Sequence, residues 1–171
     1  MRLFHVSEEK DIRFFDPRPV TRRDLDQSKR YVWALNERYL PNFLTPRDCP
    51  RVTWHVQEGT ARADCERFFS SQGQTHGVAI EWDWFGRMRE TVLYLYEFHP
   101  QGFVLQDGQA GYYVSEQPQT PIAQHRIDDL FDALAQRNVE FRCVHRLWKL
   151  RDEIAQSTLG WSFCRMGNAQ R

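Results

Sequence analysis

Apolar and polar positions change period several times along this chain, and each change marks an element. Leu3, Phe4 and Val6 around His5 predict a first strand over residues 2–6, with Ser7 capping a short helical turn that ends at Ile12. Pro17 and Pro19 impose an extended exit. The charged stretch 20–30 has no apolar period and reads as a mobile loop, suited to a lid. Tyr31-Val32-Trp33-Ala34-Leu35 is a strand-forming run, and Asn36 after it caps a helix bearing Tyr39, Leu40, Phe43 and Leu44, kinked or shortened by Pro41.

Alternation over 52–56 predicts another strand, followed by a helix over 61–71 that buries Ala61, Cys65, Phe68 and Phe69. Residues 77–84 and 90–98 read as a hairpin turning at Gly86. FVLQ and GYYVSE form a second hairpin across Asp107-Gly108, a strong turn signal. These four strands are expected to be antiparallel neighbours. From Pro121 the period is helical through Ile127, Leu130, Phe131 and Leu134, ending near Asn138. A strand over 141–147, a helix over 147–157 and a short strand over 161–164 complete the reading. The fold class is α+β: a single globular domain over 1–171, mainly an antiparallel aromatic-rich sheet with about four helices.

Composition narrows the function classes. The 171 residues suffice for a core without disulfide staples, and 14% aromatic content fills it with large rings. Acidic and basic residues balance at 23 each, so net charge does not indicate nucleic acid as a partner. The cations are 20 Arg against 3 Lys, a skew that suits phosphate or carboxylate recognition and that a genomic base bias also produces. Arg18, Arg22, Arg23, Lys29 and Arg30 cluster in one loop, and Arg142, Arg146, Lys149, Arg151 and Arg165 lie near the C-terminus. Cys49, Cys65, Cys143 and Cys164 are widely spaced with no signal peptide before them, so free thiols in the cytoplasm are expected. No apolar run is long enough to span a membrane. The oligomeric state is left open.

Sharp chemical motifs are few. Cys143 and His145 share a strand face, but no second ligand pair accompanies them, so no metal is expected. No nucleophile elbow and no glycine-rich phosphate loop is present, and Ser7 reads as a cap. His5 is the informative group: strand alternation puts it beside Leu3, where an imidazole is either a satisfied core residue or the floor of a pocket. Glu116, at the end of the aromatic strand Gly111-Tyr112-Tyr113-Val114-Ser115, is the candidate acid; Glu81 and Glu97 are expected to face solvent.

His5 on a first strand, Tyr31 to Leu35 leading into a helix, and Tyr112 to Glu116 leading to Pro121-Ile122 resemble the layout of ADP-ribosyltransferase-like domains. HVSEE, VWALNE and PRDCPR are also similar to a family of small uncharacterised bacterial proteins. The first resemblance implies a nucleotide ligand of NAD or ADP-ribose type, with NAD as cofactor. His5 then bonds the nicotinamide ribose, Tyr31 or Trp33 stacks on the nicotinamide, Arg18 with Arg47 or Arg51 holds the pyrophosphate, and Glu116 is the catalytic acid. Such domains commonly place their glutamate at the start of its strand, here Gly111 or Tyr112; a misplaced Glu116 implies a binding domain or an inactive relative. The rival expectation is a non-enzymatic interaction protein that dimerises through an aromatic sheet face including Trp82, Trp84, Tyr94 and Tyr96.

Overall fold

The computed structural model describes residues 1–21 and 24–171; Arg22 and Arg23 of the expected lid lie outside the described residues. In chain order the strands and helices are β1 (Leu3–Ser7), β2 (Arg18–Pro19), β3 (Arg30–Asn36), a 3-10 helix (Glu37–Phe43), β4 (Arg51–His55), α1 (Arg62–Phe68) and β5 (His76–Glu81). A 3-10 turn (Trp82–Trp84) then runs into α2 (Phe85–Glu90) and β6 (Leu93–Phe98). The remainder is β7 (Val104–Asp107), β8 (Tyr112–Ser115), β9 (Ala123–Ile127), α3 (Leu130–Ala135), β10 (Val139–Val144), α4 (Trp148–Ala155), β11 (Gly160–Cys164) and a last 3-10 turn (Met166–Asn168). The class is α+β, with every strand pairing antiparallel except β5 with β10.

Two compact units form. The first comprises Met1–Leu40 and Leu93–Ile127. Its sheet runs β7-β8-β3-β1-β6-β9, with β2 pairing β3. Leu3, Phe4, Val32, Leu93, Tyr96, Phe98 and Val114 are buried in it. The β7–β8 hairpin turns as expected at Asp107, whose Oδ1 accepts the Gln109 and Ala110 N–H groups. At Gly111, φ is +67° and a Cβ would lie 2.0 Å from the Tyr39 ring, so glycine is required by both conformation and space.

The second unit comprises Pro41–Val92 and Asp128–Arg171, with a sheet ordered β10-β5-β4-β11. Val52, Trp54, Phe68, Phe69, Ala79, Leu147, Ile154 and Leu159 form its core. Trp54 is fully enclosed, and its ring lies so close to Gly77 that a Cβ there would come within 2.1 Å of it.

Several expectations change. The residues expected to pair as one hairpin belong to separate sheets: β5 pairs β4 and β10, and β6 pairs β1 and β9. The strand stops at Glu81, which is 1% exposed rather than solvent-facing because its carboxylate accepts the Leu147 and Gln170 N–H groups. Past it, Trp82, Phe85 and Met88 recur at helical spacing, with Met88 buried, so the aromatic run coils instead of extending. Trp82 and Trp84 lie in a 3-10 turn and Tyr94 and Tyr96 are buried in β6, so the four rings do not line one strand face as expected. Residues 123–127 form a strand because pairing with β6 overrides their helical period; α3 starts later, where Asp129 caps Asp132 N–H. Ser7 accepts the Glu9 N–H but starts no helix.

Candidate functional site

Strand β1 pairs β6 along its whole length, from Leu3 with Phe98 to Ser7 with Tyr94. On its other side it meets β3 only at Leu3 with Asn36 and Phe4 with Leu35. Beyond Phe4 the ladder between β1 and β3 ends, while β3 continues to pair β8 through Val32 with Ser115. The sheet therefore forks between two central strands, and His5 is the first residue past the branch.

The His5 Nδ1 lies 2.9 Å from the Trp33 carbonyl, so an imidazole N–H stands in where the backbone ladder has ended. A carbonyl only accepts, which places the proton on Nδ1 and leaves Nε2 with its lone pair in the neutral ring. Burial is the main cause that holds the His5 pKa below its usual value, and the charge of Arg18 adds to the lowering. His5 nevertheless keeps partial solvent access. The ring of Phe15 packs 5.0 Å from it and also meets Tyr96 and Phe98. The Tyr96 hydroxyl accepts the Ile12 N–H and donates to the Glu9 carbonyl, which fastens the segment leading to Phe15.

Register separates the remaining candidates by face. His5 lies on the Leu3 face by alternation, whereas Trp33 and Tyr31 lie on the Phe4–Leu35 face. There Trp33 makes edge-to-face contacts with Tyr31 and Tyr112 at 5.8 and 5.4 Å. Arg18 on β2 pairs with Tyr31 and is exposed. Glu116 follows the last residue of β8, and its Oε1 is 2.7 Å from Nζ of Lys29, which precedes the first residue of β3. Tyr31 and Trp33 thus share one face of β3 with Arg18 opposite Tyr31, Glu116 lies just past β8 beside Lys29, and His5 is on the other face.

Arg47 and Arg51 belong to the second unit. Arg51 is buried: its Nε donates to the Asn42 carbonyl and its Nη1 to the Cys49 carbonyl, and the guanidinium lies over the Phe43 ring. Burial pushes the Cys49 thiol up to about 12 and raises Cys143, so neither is a thiolate near neutral pH. Among the described residues no group of three or more His, Cys, Asp or Glu could hold a metal ion. Among the same residues no helix is long and apolar enough to cross a membrane.

Two groups escaped the sequence. In the sequence Lys29 is one charge of a loop, and its partner is 87 residues away. Arg2, whose Nε and Nη2 grip both oxygens of Glu97, is joined there by His125. This holds the Glu97 carboxyl at about 2. Alternating signs on neighbouring strands were the available signal, but it needed the strand order first.

No curated protein and no solved structure matches the chain. A family model described as a family of unknown function, DUF6886, matches residues 4–169. The chain therefore belongs to the DUF6886 family.

Proposed function

We propose that the first unit binds a nucleotide of NAD or ADP-ribose type at the fork between β1 and β3, as an ADP-ribosyltransferase-like domain. The observation that carries this reading is the lost pairing beyond Phe4 and Leu35, with the His5 imidazole bridging to the Trp33 carbonyl at the branch. Main chain that has lost its ladder partner is where a ligand's polar groups find unclaimed bonding positions. It is also where a half-buried imidazole has a use beyond packing.

The chemistry follows from the residues. With Nδ1 committed, neutral His5 offers Nε2 as an acceptor for a ribose hydroxyl. Tyr31 and Trp33 supply rings for a planar base or nicotinamide, and Arg18 supplies a fork of donors for phosphate. Glu116 supplies a carboxylate for a positive centre developing at the ribose carbon. Arg51 has no part in it, since it is buried in the second unit with Nε and Nη1 held by main-chain carbonyls.

Titration calorimetry with NAD and ADP-ribose tests this. Saturable heat is expected for the wild type, weakened at least about tenfold in His5→Ala, with unchanged far-UV circular dichroism. A folded wild type that gives no heat with either ligand would end the proposal.

A further inference from the structure

We propose that Lys29 is a second phosphate-binding group of the fork, held by Glu116 in the free protein and exchanged onto the ligand when it binds. The inference rests on the nucleotide reading. A diphosphate linkage carries two neighbouring negative charges, and Arg18 by itself matches one of them. Of the two arginines that the resemblance offers for the other, Arg51 is buried with donors on the Asn42 and Cys49 carbonyls, and Arg47 belongs to the second unit.

Lys29 is two residues before Tyr31, and Tyr31 is the register partner of Arg18. The two cations therefore flank one aromatic side chain. Lys29 meets Glu116 through a single contact of 2.7 Å, with 41% and 55% of the two side chains exposed. An exposed, one-point pair between flexible side chains holds weakly. Two adjacent phosphates offer an ammonium more charge and more acceptor oxygens than one carboxylate. The hydrogen bond that Lys29 donates to Glu116 raises the Lys29 pKa above its usual value, so the ammonium is charged across the physiological range and ready to transfer. Its transfer has a second consequence: the carboxylate of Glu116 is released only when the ligand is seated, which is when an anion beside the ribose carbon is useful. The ordinary alternative is an ion pair that only pins the end of a loop.

The test compares ADP-ribose with adenosine, which lacks phosphate, in calorimetry on the wild type, Lys29→Ala, Lys29→Arg and Glu116→Gln. Lys29→Ala is expected to weaken ADP-ribose about tenfold and leave adenosine unchanged, with Lys29→Arg recovering to within about threefold. Glu116→Gln is expected to tighten ADP-ribose by about two- to fivefold, because the competitor for Lys29 is gone. A gain in affinity cannot come from a misfolded variant. Unchanged ADP-ribose affinity in Lys29→Ala, or weakening in Glu116→Gln, overturns the exchange while leaving the nucleotide reading intact. A wild type that binds neither ADP-ribose nor adenosine overturns both.

Discussion

In the first unit the imidazole of His5 and the guanidinium of Arg18 lie where a sheet opens. In the second, the imidazole of His76 and the guanidinium of Arg51 are shut inside, and both are bound to Asn42, one through its side chain and the other through its carbonyl. The carboxylates divide likewise: Glu116 is exposed and meets a partly exposed lysine, whereas Glu81 is sealed onto two backbone N–H groups. The same residue types thus serve different ends. Where the backbone ladder is complete, a buried polar group has been recruited to satisfy local main chain, and deleting it should cost stability. Where the ladder stops, polar groups retain a free valence, and deleting them should cost binding.

The largest expected effect breaks the sealed region. Trp54→Ala removes the enclosed ring that Gly77 makes room for, and should destabilise by about 3–5 kcal/mol in denaturant titration. A loss below about 1 kcal/mol would mean that this core repacks freely. The next comparison is a paired one. Arg51→Ala leaves the Asn42 and Cys49 carbonyls without their donors and should cost about 2–3 kcal/mol, with ADP-ribose affinity unchanged. Arg18→Ala should do the reverse, shifting stability by less than about 0.5 kcal/mol while weakening ADP-ribose about tenfold. Equal stability losses in the two variants would erase the distinction between the regions.

Local signals in the sequence were sufficient wherever an element is decided locally. The first strand, the Asp107-Gly108 hairpin, the aromatic strand ending at Asn36 and the helix near Trp148 follow from periodicity and turn chemistry within a few residues. What could not be read is partnership. The coil at Trp82 depends on Glu81 being claimed by Leu147 and Gln170, far along the chain, and the strand at 123–127 exists only because β6 is beside it. The candidate site divides in the same way. Tyr31 and Trp33 could be placed on a strand, and Glu116 just past one, by their own pattern, but the fork is a property of two strands failing to pair. Arg51, flanked by prolines and charges, had the local look of a loop cation, and its burial is set by Asn42 and Phe43 across a turn.

His5 sharpens the comparison through pH. Its folded pKa is lowered, so the unfolded chain takes up a proton that the folded one resists. The associated stability is complete above the usual histidine value of 6.5 and is lost as pH falls below it toward the folded value. The slope cannot exceed about 1.4 kcal/mol per pH unit for one proton. His5→Asn keeps a donor for the Trp33 carbonyl but does not titrate, so the difference in stability between pH 7 and pH 5.5 should be smaller in the variant. The same variant lacks the Nε2 acceptor, and ADP-ribose affinity should fall at pH 7. Parallel pH profiles for variant and wild type would show that His5 is not the group resisting protonation.

The smallest expected effect lies at Glu97, where the first unit carries a polar cluster that serves neither fork nor core. Arg2 meets both carboxylate oxygens at 2.8 and 2.9 Å, and its guanidinium also lies 4.9 Å from the Phe4 ring. Hydrogen bonds from Arg2, then from His125, lower Glu97 from 4.5 to about 2. A lowered carboxylate stabilises the fold fully above its unfolded pKa, and that contribution disappears as pH falls from about 4.5 to about 2. Glu97→Gln should therefore melt slightly below the wild type at pH 6, and the gap should close as the pH approaches 2. Because the cluster is at the surface, added salt should narrow the gap at pH 6 as well. A gap that persists in acid and in salt would assign Glu97 a packing role, and would place this part of the first unit with Glu81 on the sealed side of the comparison.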